Sequence, residues 1–241
     1  MSELDDFILS CHLILKDVQS KEIQTAKEYL YKRKLNLDSI KLHNIGYCPY
    51  QNVIPDAIKA YGKTDNPNNI DYSGFIQGRI IVPVYSEFGE AVGFATRKPS
   101  FKPGNTWWNL PLPFKKSYHM YLLNKTRKNI FTKNKIYLVE GYMDALILCQ
   151  YGLNQVCSIM GTLLSPRRIG LMIRYCDSVC ICMDADKNKA GQNAQKEAIK
   201  VLKRFEQFKN ISIIDLPVGI DPDEYVINNG IDKLLSLEKA V

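Results

Sequence analysis

The chain has 241 residues, 46% hydrophobic and 24% charged, a globular balance that excludes disorder and leaves room for one large domain or two modest ones. No run of ~18 uncharged apolar residues occurs, and the opening Ser2, Glu3, Asp5 and Asp6 differ from a basic stretch followed by an apolar one, so neither a membrane span nor a signal peptide is expected. The net charge of +7 favours nucleic acid only weakly, and the seven cysteines Cys11, Cys48, Cys149, Cys157, Cys176, Cys180 and Cys182 lack paired C-x-x-C spacings, which predicts reduced, mostly buried thiols in a cytoplasm and no zinc.

The first ~45 residues read as helical, with Ile23, Ala26, Lys27 and Leu30 at helical spacing and a second short helix near Leu37 to Leu42 after the break at Asn36. From Asn52 to Tyr72, Pro55, Gly62, Pro67 and the run Asn66 to Asn69 predict a helix followed by a mobile loop. Two β-rich runs, Arg79 to Tyr85 and Ala91 to Arg97, flank a short turn carrying Gly89 and predict a hairpin. Phe101 to Asn124 shows neither period and reads as an irregular surface segment. Between Glu90 and Glu140 no acidic residue occurs, while Arg97, Lys98, Lys102, Lys115, Lys116, Lys125, Arg127, Lys128, Lys133 and Lys135 are basic. A stretch of one sign is not what an ordinary mixed surface produces, and it says more than the net charge does.

The second half alternates apolar runs with helical patterns. Strands are predicted at Ile136 to Val139, Gln155 to Met160, Ser178 to Met183 and Ile211 to Leu216, with helices at Tyr142 to Gln150, from Ser165-Pro166 onward and from about Gly191 to Phe205. Such alternation gives a parallel α/β sheet, whose ligand sites lie at the carboxyl ends of the strands. Glu140 directly follows the first of these strands, and Asp184 and Asp186 directly follow the third. Residues two apart in an extended chain point to one side, so three carboxylates converge on one crevice. Their mutual repulsion calls for a cation, and oxygen ligands without histidine or thiolate suit Mg²⁺ or Mn²⁺ and phosphoryl transfer. Gly141 lets a substrate or metal approach the backbone closely. Asp144 has either an outer role at the metal or a capping role on its own helix, and Asp221-Pro222-Asp223-Glu224 either ligates a further ion or caps the last helix.

Val139-Glu140-Gly141-Tyr142-Met143-Asp144, then Gln150-Tyr151-Gly152 and Met160-Gly161-Thr162, resemble the Toprim module of bacterial-type replicative primases, with Asp184-Ala185-Asp186 and Asp221-Pro222-Asp223 in the expected order. Upstream, Ile45-Gly46-Tyr47, Gly78 to Pro83, Val92-Gly93-Phe94 and Arg97 are similar to the basic lobe of the primase core. The resemblance implies an α/β fold, with a Toprim parallel-sheet domain over 131–241 preceded by a smaller α+β basic lobe over 1–130. It implies a DNA primase that joins ribonucleotides on single-stranded DNA, with metal on Glu140, Asp184 and Asp186 and with Asp144, Asp221 and Asp223 as further metal-site residues. Arg79, Arg97, Lys98 and Lys116 would contact template or nucleotide phosphates, and Lys187 or Lys189 the substrate. Thr106-Trp107-Trp108 stands where the family has a lysine. A zinc ribbon, a helicase-binding region and a nucleotide-binding phosphate loop are not found in these residues, so the chain is read either as an excised fragment or as a compact protein, with a separate helicase and a separate zinc-domain protein as the expected partners. The location expected is the cytoplasm, that of a host if the chain is viral. A Toprim nuclease and a non-catalytic single-strand-binding replisome subunit are the competing readings.

Overall fold

The computed structural model describes residues 2–50, 73–102, 106–110, 114–161, 163–185 and 190–241. The helix and loop predicted over 52–72, together with Asp186, Lys187 and Lys189, lie outside the described residues. The chain divides into two compact units, one of residues 1–84 and 90–115 and the other of 85–89 and 116–241. No helix among the described residues is long and apolar enough to cross a membrane.

In the first unit, α1 (Glu3–Asp17) starts at a reciprocal cap: Ser2 Oγ accepts from Asp5 N at 3.2 Å, and the Asp5 carboxylate accepts from Ser2 N at 3.0 Å. Its inner stripe of Leu4, Phe7, Ile8, Cys11 and Leu15 is buried. Ser20 caps α2 (Lys21–Lys32) and Asn36 caps α3 (Leu37–Leu42), at the break where the sequence places it. The sheet runs in the order β1 (Gly46–Cys48), β2 (Arg79–Tyr85), β3 (Ala91–Arg97), β4 (Trp108–Asn109). The predicted hairpin is β2 and β3. Gly46 lies so close to α1 that a Cβ would come within 2.6 Å of the Cys11 backbone, which explains glycine at that position.

The second unit runs α4 (Leu123–Lys133), β5 (Lys135–Val139), α5 (Tyr142–Gln150), β6 (Val156–Ser158), α6 (Pro166–Ile173), β7 (Ser178–Ile181), α7 (Ala190–Leu202), β8 (Asn210–Ile214), α8 (Pro222–Asn229), α9 (Ile231–Leu235) and β9 (Glu238–Ala240). The strands are ordered β6-β5-β7-β8-β9; the first four are parallel and β9 is antiparallel. Ile136, Leu138, Val179 and Ile181 pack against Ile169, Met172, Ala198 and Leu202. Each fully buried aliphatic side chain of this kind contributes ~1.5–3 kcal/mol. Cys176 is a free thiol within this cluster, and Cys180 and Cys182 are free, buried thiols outside it.

Several elements depart from the sequence reading, among them α4, β4 and β9. The predicted irregular segment ends in α4, which begins at Leu123 after Leu122 in a left-handed conformation (φ 70) with no side-chain cap. Strand β9 is polar and is held by Lys135, Tyr137 and Ser212, which all bond the Glu238 carboxylate. Local periodicity does not announce β9.

Candidate active site

The chain leaves β5 for β6 on one side and then passes to β7 and β8 on the other, so the strand order switches direction between β5 and β7. Open α/β sheets bind their ligands in the crevice at such a switch, beyond the carboxyl ends of the strands. Leu138 pairs with Ile181, and Cys182 N donates to Leu138 O at 2.8 Å. Glu140 and Asp184 therefore leave the ends of adjacent strands, which run ~4.8 Å apart.

The Glu140 backbone is pinned from the β6 side. Its carbonyl accepts from Gly161 N at 3.1 Å and from Ser158 Oγ at 2.7 Å, and the same hydroxyl accepts from Met160 N at 2.8 Å. Ser158 is fully buried. Asp184 is fixed through its backbone, because Gly191 of α7 packs so closely that a Cβ there would lie 2.0 Å from the Asp184 carbonyl oxygen. Neither Ser158 nor Gly191 is singled out by motif or spacing in the sequence.

Asp144 is buried, and its two carboxylate oxygens face different helices. Oδ2 accepts from Gly141 N at 3.0 Å, at the start of α5, and Oδ1 accepts from Asp223 N at 3.3 Å, in the first turn of α8. A Cβ on Gly141 would sit 2.5 Å from Asp144 Oδ2. The close neighbour at Gly141 is thus the Asp144 carboxylate. Asp221 is the cap residue of α8 and Pro222 its first helical residue, while Asp223 Oδ1 accepts from Glu224 N at 2.7 Å. The turn before α8 is tied to the Asp184 segment by Gly219 N donating to Ala185 O at 2.6 Å. Burial first, then Cys180 and the charges of Asp144 and Asp184, raise the Cys182 thiol, so both carboxylates lie near that strand end.

Burial, reinforced by the Asp223 and Asp221 carboxylates, pushes the Asp144 carboxyl up to about 7, against the two N–H bonds that favour its charged form. The ordinary value is 3.8, so the folded state holds this proton more tightly than the unfolded chain. The resulting stabilisation is complete below the unfolded value and is lost as pH rises through the folded one. His119 is lowered by burial and by Arg167 and Arg168, and it acts in the opposite sense. In metal-free protein the Asp144 contribution to Tm should decline between about pH 5 and about pH 7, seen as a wild-type slope more negative than that of Asp144→Asn. Equal slopes would remove Asp144 as the cause.

Lys116 stands beside this edge in the same unit. Its Nζ lies 3.7 Å from where a Cβ on Gly161 would be, next to the amide that bonds Glu140. Burial, then Arg168, lowers its pKa. Arg168 is buried and donates to the carbonyls of His119, Leu163 and Lys116 at 2.9, 2.7 and 2.9 Å. It is a clamp on the segment that carries Lys116.

In the first unit, Arg79 at the start of β2 and Arg97 at the end of β3 share one end of the hairpin. Arg79 Nη1 donates to Thr96 Oγ1 at 3.4 Å and its guanidinium is 6.0 Å from the Phe75 ring, which stacks on Trp108 at 5.2 Å. Arg97 Nε donates to Tyr29 OH at 2.8 Å and lies 5.4 Å from the Trp107 ring. Lys98 is exposed. Cations interleaved with aromatic faces are the composition of single-strand-binding surfaces.

Among the described residues no group of three histidine, cysteine or acidic side chains is placed to hold an ion. The described members of the predicted triad are Glu140 and Asp184, both oxygen donors, which is the chemistry hard divalent cations require.

Residues 14–136 match the family described as DNA primase catalytic core, N-terminal domain, and residues 137–226 match the Toprim-like family. The DNA primase of Clostridium acetobutylicum is 34% identical over 231 residues, which cover 90% of this chain and 37% of that protein. The DNA primase of Lactococcus lactis subsp. lactis is 30% identical over 230 residues, covering 89% of this chain and 35% of that protein. The chain thus spans little more than a third of the length of these curated relatives. A solved structure of the DnaG primase catalytic domain bound to single-stranded DNA superposes with a TM-score of 0.77 at 25% identity, over 97% of this chain and 78% of that one. With a mainly parallel sheet that sets Glu140 and Asp184 at its switch point, an α+β lobe before it, and a first family match that spans more than half of its residues, the chain belongs to the DNA primase catalytic-core family.

Proposed function

We propose that the chain is the polymerising core of a DNA primase, joining ribonucleotides on a single-stranded DNA template. The observation that carries this reading is the emergence of Glu140 and Asp184 at adjacent strand ends across the switch point, with Asp144 bracing the helices on either side. Glu140, Asp184 and Asp186 would hold Mg²⁺ or Mn²⁺, which when bound supplies polarisation of phosphate oxygens and activation of the attacking hydroxyl. Asp221 and Asp223 are the candidates for a further ion, and Asp144 acts by orienting the backbone of Gly141 and Asp223. Lys116, and Lys187 in the segment after Asp186, would neutralise nucleotide phosphates, and Arg79, Arg97 and Lys98 would hold template phosphates. A replicative helicase and a zinc-bearing protein are the proposed partners, and the cytoplasm the proposed location.

The test is incubation with single-stranded DNA, ribonucleoside triphosphates and Mg²⁺ or Mn²⁺, with and without the zinc-bearing and helicase partners. Template-dependent oligoribonucleotides are the expected product. Their absence in every combination, or metal-dependent shortening of the DNA instead, overturns the reading, the latter in favour of a nuclease.

A further inference from the structure

Away from the acidic edge, the second unit carries a cleft of about 360 Å³ lined by Arg127, Lys128 and Phe131 of α4 and by Arg174 and Tyr175 just after α6. α4 runs straight into the start of β5, and Tyr175 precedes the start of β7. The cleft is therefore on the amino-end side of these strands, and Glu140 and Asp184 are at the other end.

Its chemistry is one-sided. α4 contains Lys125, Arg127, Lys128 and Lys133 and no acidic residue. Lys128 is exposed and makes no ion pair among the described residues. Phe131 is 69% exposed, as is Phe88 on the turn next to the cleft.

The surface already recognises one ligand from its own chain. The Glu87 carboxylate, 9% exposed, accepts from Arg174 Nη2 at 2.7 Å and from Tyr175 OH at 2.7 Å. Arg127 donates to the Glu87 carbonyl, and its guanidinium lies 5.6 Å from the Phe88 ring. An acidic residue followed by an aromatic one is thus held by a guanidinium, a phenol hydroxyl and a cation–π contact. The rest of the cleft, Lys128 and Phe131, offers the same pairing of cation and ring with no occupant from the described residues.

We propose that this cleft is a docking site for an acidic peptide segment of a partner protein that carries an aromatic side chain. The aromatic group would pack on Phe131 and Tyr175, and the carboxylates would face Lys128 and the α4 cations. Nucleic acid would use the same charges. What favours a peptide is the acidic–aromatic pair Glu87-Phe88 already bound at the neighbouring side chains Arg174, Tyr175 and Arg127.

The experiment uses the full chain and fluorescence anisotropy with a labelled run of aspartates ending in phenylalanine. The comparisons are the same peptide ending in serine and a labelled oligothymidylate. The phenylalanine peptide should bind, and the serine peptide should bind at least about tenfold more weakly. Lys128→Glu and Phe131→Ala, both at exposed positions, should each weaken peptide binding by about tenfold, and Phe131→Ala, which alters no charge, should leave oligothymidylate affinity unchanged. No binding of the phenylalanine peptide, or binding indifferent to both substitutions, overturns the proposal. Loss of oligothymidylate with the peptide unaffected overturns it in favour of nucleic acid.

Discussion

Glu140→Gln is expected to lower primer synthesis by about a thousandfold or more, with affinity for single-stranded DNA within about twofold of wild type. The substitution keeps the size of the side chain and the backbone bonds from Gly161 N and Ser158 Oγ to the Glu140 carbonyl, so the strand end stays where it is. It removes the charge that would balance a divalent cation, an interaction worth several kcal/mol in the transition state, and about 4 kcal/mol is a thousandfold in rate. Template affinity is governed by phosphate contacts, for which Arg79, Arg97 and Lys98 are the candidates. Primer yield at saturating Mn²⁺ and anisotropy with a labelled oligonucleotide read the two quantities separately. A variant that retains activity would place the chemistry elsewhere; one that loses both functions together would show a general structural fault.

The second large effect is expected at a residue with no side chain. Gly191→Ala should reduce synthesis by about a hundredfold, because a Cβ 2.0 Å from the Asp184 carbonyl oxygen forces either Asp184 or the start of α7 to move, and displacement of a reacting group by about 1 Å carries a cost of that order. The same overpacking should lower stability by ~1–3 kcal/mol. Gly170→Ala is the matched control, since nothing lies within 4 Å of a Cβ in that helix, and alanine should there stabilise by up to ~1 kcal/mol. If Gly191→Ala retains full synthesis with an unchanged Tm, close packing at Asp184 is not what positions it.

How far the sequence could be read followed the range of the interactions. The parallel sheet was legible because Ile136 to Val139 and Ser178 to Ile181 are short apolar runs bounded by helical patterns, and the placing of Glu140 and Asp184 followed from being next in the chain. Ser165 and Pro166 announced α6 by local cap chemistry. α4 escaped because it starts at an uncapped leucine; its signal was the spacing of Leu123, Thr126 and Ile130, which are its buried face. Ser158, Arg168 and Gly191 were not legible at all. Each acts on a backbone group outside its own helix or strand: Ser158 on Glu140 O, Arg168 on Lys116 O and Gly191 by close approach to Asp184 O. No period or motif encodes such a contact. At Gly141 the neighbour that sequence reading does not reveal is the Asp144 carboxylate, 2.5 Å from where a Cβ would lie.

Asp144 also fixes what the acidic crevice does when it is empty. One side chain is bonded to the amino ends of two helices, α5 and α8, and α5 packs along α8. Segments that mutual repulsion would drive apart are therefore riveted together by the scaffold. A cation held at Glu140 and Asp184, as proposed, would join a main chain that is already braced, so its departure should leave that main chain in place and strip away only water and charge balance.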